Sequence, residues 1–135
     1  MIKTVVFVCA HNAGRSQMAE AFFNQLTKGK AIGISAGTRP GDEVNPIVVK
    51  AMREVGIDIS RNKPKTMTLE MLSKADKMIT MGCGADALGL CPASFIETED
   101  WALEDPEGKS LEQVRKIRDE IKQRVRTLVM EMTSK

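Results

Sequence analysis

Near its start the chain carries an unbroken apolar, largely β-branched run, Thr4-Val5-Val6-Phe7-Val8, which ends on Cys9 and passes at once into a short polar loop. A strand with one wet face alternates apolar and polar residues, and this one does not. It therefore suits a strand buried on both faces of a parallel sheet. Parallel neighbours cannot be joined by tight hairpins, so the chain must return through crossover helices, which makes the fold α/β.

The rest of the chain supplies those parts. From Ser16 onward, Met18, Ala19, Phe22, Phe23 and Leu26 recur on one helical face, and Ala31 to Ser35 reads as a second strand. Gly37 to Asp42 is a loop. Asn45 is placed to cap a helix with Pro46 at its first position, carrying Ile47, Val48, Ala51, Met52 and Val55 to a stop at Gly56. Ile57 to Thr68 has no clear period, and a short helix covers Leu69 to Lys74. Lys77 to Met81 reads as a third strand, the glycines of Gly82 to Pro92 mark a mobile loop, and Ser94 to Glu97 reads as a fourth strand. The last helix opens at Ser110 with Gln113 completing a capping box, and its apolar residues run from Leu111 to Met132 in steps of three or four. The expected architecture is a three-layer open sheet of four parallel strands with helices on both faces.

A length of 135 residues and 42% hydrophobic content suit a single domain, 1–135, that needs no disulfide staples. Basic and acidic residues number 20 and 18, which gives no electrostatic case for nucleic acid or membrane as partner. The apolar stretch Thr4 to Ala10 is too short to span a bilayer, and Arg15 in the loop after it does not suit a signal-peptide cleavage region. The expectation is a cytoplasmic monomer. Thiols stay reduced there, so Cys9, Cys83 and Cys91 read as core residues, metal ligands or reactive thiols.

The loop Cys9-Ala10-His11-Asn12-Ala13-Gly14-Arg15-Ser16 joins the first strand to the first helix. Open parallel sheets bind ligands beyond the carboxyl ends of their strands. A loop entering a helix N-terminus aims several N–H groups at one spot, and the helix dipole favours an anion there. Ala10 through Ser16 are thus the candidate oxyanion cradle, with Cys9 at its edge as nucleophile. Arg15 offers a planar fork for two oxygens, and its charge with the N–H groups favours the thiolate. His11, the only histidine, is expected to shape the loop. Further along, Asp105-Pro106-Glu107-Gly108 reads from its spacing as a turn, although a carboxyl group near the cradle could also protonate a leaving group.

Cys9 through Ser16, continued by Gln17-Met18-Ala19-Glu20, resembles the signature loop of the low-molecular-weight tyrosine phosphatase family, and Arg-Ser-Gln-Met-Ala-Glu is similar to its arsenate reductase branch. The likeness extends through Ser35-Ala36-Gly37, Val44-Asn45-Pro46, Glu54 to Ser60 and Trp101 to Pro106. It implies that Asp105 is the general acid. The absence of aromatic residues after Pro106, and of any Tyr, suits a small inorganic substrate. It also implies roles for Cys83 and Cys91, which stand seven residues apart. Cys9 attacks arsenate, Cys83 displaces arsenite by forming a disulfide with Cys9, and Cys91 carries the disulfide outward to thioredoxin or a similar dithiol. No metal or cofactor is implied. A zinc site from Cys9, His11, Cys83 and Cys91 fits poorly, because that seven-residue gap is wider than usual. The alternative reading is a tyrosine phosphatase using Cys9 and Asp105, with Cys83 and Cys91 as core or protective thiols. Some relatives bind potassium through an Asn, a Glu, a Ser and an Asp. Asn12, Glu20 and Ser35 match the first three, but Lys65 stands at the fourth, and its ammonium is expected to replace the ion.

Overall fold

The computed structural model describes residues 2–81 and 97–133. Among the described residues four strands, β1 (Lys3–Cys9), β2 (Ala31–Gly37), β3 (Lys77–Thr80) and β4 (Glu97–Asp100), form one all-parallel sheet in the order β2-β1-β3-β4. The helices among the described residues are α1 (Arg15–Thr27), α2 (Pro46–Arg53), α3 (Leu69–Lys74) and α4 (Leu111–Thr133). β1 is central, pairing with β2 from Lys3↔Ala31 to Cys9↔Gly37 and with β3 from Val5↔Lys77 to Val8↔Thr80.

Burial on both faces of β1 is what its unbroken apolar run required. Val5, Phe7 and Cys9 join a core with Met18, Phe22 and Phe23 of α1, Val48 and Met52 of α2, and Val114, Ile121 and Val125 of α4. Val6 and Val8 face the other way, into a smaller cluster with Ala36, Met67, Leu72 and Met78. The side-chain period of two sends alternate residues into separate layers, so helices lie on both faces. The caps also match expectation. Ile47 N–H donates to Asn45 Oδ1 at 3.0 Å. At α4, Ser110 N–H donates to Gln113 Oε1 at 3.1 Å, and Gln113 N–H to Ser110 Oγ at 3.2 Å.

Three details depart from the sequence reading. β2 runs two residues further than Ser35, to Gly37, because its pairing with β1 continues through Val8↔Ala36 to Cys9↔Gly37. β4 occupies Glu97–Asp100 instead of ending at Glu97, while Ser94 to Ile96 lie outside the described residues. Its charged sequence hides it, but an edge strand tolerates charge. Lys77 Nζ meets Glu99 at 3.3 Å, and Thr80 Oγ1 donates to Asp100 Oδ1 at 2.6 Å. Leu26 is 38% exposed, at the rim of α1, while Thr27 takes the buried place by donating to the carbonyls of Phe23 and Ala31.

Candidate active site

β1 delivers Cys9 to the carboxyl end of the sheet, where it is buried, and α1 starts six residues later with Gly14 as its N-cap. No side chain caps that helix and no acid lies in its first turn, so its end keeps the positive pole of the dipole uncompensated.

The loop between them is held from outside. The carbonyls of Cys9, Ala10, His11 and Ala13 accept from the N–H groups of Thr38, Arg39, Gly41 and Asn45, at 3.3, 2.8, 2.9 and 2.8 Å. The Asn12 carbonyl accepts from Gln17 Nε2 at 3.1 Å. In a trans peptide C=O and N–H point opposite ways, so these bonds turn the following N–H groups away from the 38–45 segment. Asn12 has a φ of 51°, the left-handed conformation that Asn tolerates better than most residues. Its side chain is fully buried, accepting from Lys65 N–H at 2.8 Å and donating through Nδ2 to Ser16 Oγ at 2.7 Å. Ser16 Oγ lies 2.9 Å from Cys9 Sγ.

Arg15 is buried, and its Nη1 donates to the Met81 carbonyl at 2.6 Å and the Leu103 carbonyl at 3.3 Å. One end of the guanidinium thus ties the ends of two segments to the loop, while Nη2 lies 3.7 Å from Asp105 Oδ2. Asp105 sits in a turn and beside the cradle. Its Oδ1 accepts from Glu107 N–H at 3.0 Å in a turn closed by Lys109 N–H on the Pro106 carbonyl, and it also borders a cleft of about 480 Å³. That cleft is shared by Cys9, His11, Ala13, Gly14, Arg15 and Asp105. The structure therefore brings Cys9, Arg15 and Asp105 together, with His11 exposed at the rim and Asn12 and Ser16 buried beneath. Ala10 lends its carbonyl to the outer bonds. Cys83 and Cys91 lie outside the described residues.

Lys65 Nζ lies 3.4 Å from Ser35 Oγ and 3.9 Å from Glu20 Oε1, and Ser35 Oγ donates to Glu20 Oε1 at 2.9 Å. An ammonium group therefore sits among the polar atoms of Glu20 and Ser35. Sequence reasoning passed over Gln17 and Asn62, which bond to each other and, through Gln17, to Asn12. Gln17 lies off the apolar face that Met18, Ala19, Phe22 and Phe23 define on α1, so no local pattern marked it.

The chain is 41% identical over 124 residues to a putative arsenate reductase of Halobacterium salinarum, covering 88% of this chain and 85% of that protein. It is 38% identical over 136 residues to a glutaredoxin arsenate reductase of Synechocystis, covering 98% of this chain and all of that one. The fold superposes on a thioredoxin-dependent arsenate reductase of Corynebacterium glutamicum with a TM-score of 0.82 and 34% identity, covering 98% of this chain but only 62% of that longer one. No helix among the described residues is long and apolar enough to cross a membrane. The pattern of the low molecular weight phosphotyrosine protein phosphatases matches residues 4–135, and the chain belongs to that family.

Proposed function

We propose that this protein is a cytoplasmic, monomeric arsenate reductase, one domain over residues 1–135, regenerated by thioredoxin. The observation that carries the reading is the meeting of Cys9, Arg15 and Asp105 in one cleft, in a chain 41% and 38% identical to proteins named arsenate reductase. The loop N–H groups of residues 10–16 and Arg15 hold the oxyanion, and the Cys9 thiolate attacks arsenic(V) while Asp105 protonates the departing water. The Cys83 thiolate attacks Cys9 Sγ. The sulfur–arsenic bond breaks with its electron pair on arsenic, giving arsenite and a Cys9–Cys83 disulfide. Cys91 then attacks Cys83 and frees Cys9 as thiolate, and an external dithiol reduces the Cys83–Cys91 bond. Thioredoxin is chosen on the likeness to the Corynebacterium enzyme, while the Synechocystis relative is named for glutaredoxin.

The test is to treat reduced protein with arsenate and map disulfides by mass spectrometry. Finding neither a Cys9–Cys83 nor a Cys83–Cys91 bond sinks the relay. A phosphatase reading is favoured by the family pattern itself and needs only Cys9, Arg15 and Asp105. Cys83→Ser separates the two, since it stops arsenite turnover and leaves hydrolysis of an aryl phosphate untouched.

A further inference from the structure

The hydrogen bonds beneath Cys9 have a fixed direction. A backbone N–H can only donate, so Lys65 N–H at 2.8 Å fixes Asn12 Oδ1 on its side and turns Nδ2 toward Ser16 Oγ at 2.7 Å. Ser16 Oγ accepts there, which leaves its single proton for Cys9 Sγ at 2.9 Å. A sulfur that receives such a proton is best satisfied as a thiolate.

The same logic extends outward through Gln17. The Asn12 carbonyl can only accept, so Gln17 must present Nε2 to it at 3.1 Å, and the same nitrogen reaches Asn12 Oδ1 at 3.0 Å. Gln17 Oε1 then faces the opposite way and accepts from Asn62 Nδ2 at 3.1 Å. Gln17 is fully buried, and it grips Asn12 by both backbone and side chain at the one residue of the loop with positive φ. Directed chains of this kind polarise one another, and a buried member left unsatisfied is costly.

We propose that Gln17 is a positioning residue for Cys9: anchored by Asn62, it locks Asn12 so that the Ser16 proton is always offered to the sulfur. Asn62 is exposed, so the chain links the surface to the nucleophile. The proposal rests on Cys9 acting as a thiolate and is indifferent to which oxyanion that thiolate attacks.

The experiment is the pH profile of Cys9 alkylation by iodoacetamide, read on the Cys9 peptide by mass spectrometry without any oxyanion. Gln17→Met keeps the volume and removes the donors, and should shift the profile to higher pH by about half a unit to one unit. Asn62→Ala should shift it the same way by less. Ile121→Ala, a core change in α4 outside the hydrogen-bond chain, should lower thermal stability and leave the profile in place. Unmoved profiles in both chain variants overturn the proposal, and so does an equal shift in Ile121→Ala. If Gln17→Met does not fold, the exposed Asn62→Ala decides alone, a shift supporting the proposal and no shift ending it. Because arsenate is absent throughout, this result and the disulfide map succeed or fail separately.

Discussion

Pro106 packs so closely on Gly14 that a β-carbon at Gly14 would lie 2.6 Å from Pro106 Cγ. The missing side chain is what lets the Asp105 turn lie against the loop that carries Arg15. Gly14→Ala must push that turn outward, and overpacking of this kind costs about 1–3 kcal/mol. We expect turnover to fall about tenfold or more as Asp105 moves off the leaving group, with Cys9 alkylation within about twofold of the parent. Equal losses in both assays would mean that the whole loop had shifted.

Lys65 already supplies a positive charge among Glu20 and Ser35. Potassium and sodium chloride at equal ionic strength should therefore give the same turnover and the same melting temperature. Lys65→Ala empties the position beside the Glu20 carboxylate and should make both quantities respond to potassium. A parent enzyme activated by potassium over sodium contradicts the assignment.

Glu54, just past α2, is tied to α4 by a two-pronged contact with Arg115, at 2.8 and 2.5 Å, and by Arg118 at 3.0 Å. The Arg115 hydrogen bonds foremost, with the charges of both arginines, hold the Glu54 carboxyl down at about 2 from an ordinary 4.5. A depressed carboxyl stabilises the fold fully above its unfolded value, and that contribution fades as pH falls from about 4.5 toward about 2. Glu54→Gln should thus melt below the parent at neutral pH, and the gap should close as the solution is acidified through that window. A gap unchanged down to pH 2 would falsify the linkage.

Ser110 and Gln113 satisfy each other's backbone at the start of α4. Ser110→Ala should cost about 1 kcal/mol, lowering the melting temperature by about 3–5 °C without affecting Cys9 reactivity. Circular dichroism melts of parent and variant measure it directly.

Much of this molecule is legible one residue at a time. The continuous run before Cys9 announces a doubly covered central strand. Asn45-Pro46 and Ser110 with Gln113 announce helix starts, because caps and periodicity act over a few neighbouring residues. β4 is hidden, since Thr98-Glu99-Asp100 is held by its partner strand and by cross-strand pairs to Lys77 and Thr80 instead of by propensity. Gln17 is hidden for a related reason. Its partners Asn12, Lys63 and Asn62 include residues 45 or more positions away, and only folding brings them to it.

The loop from Cys9 to Ser16 was determined by sequence alone, because a strand end, five intervening residues, an arginine and a helix start are all local. What only the tertiary structure decided is how that loop is wired. Its carbonyls are claimed by the 38–45 segment, its arginine by Met81 and Leu103, its asparagine by Lys65, and its glycine by Pro106. Such contacts depend on where the chain returns in space. They decide which protons and carboxyl groups stand near the sulfur.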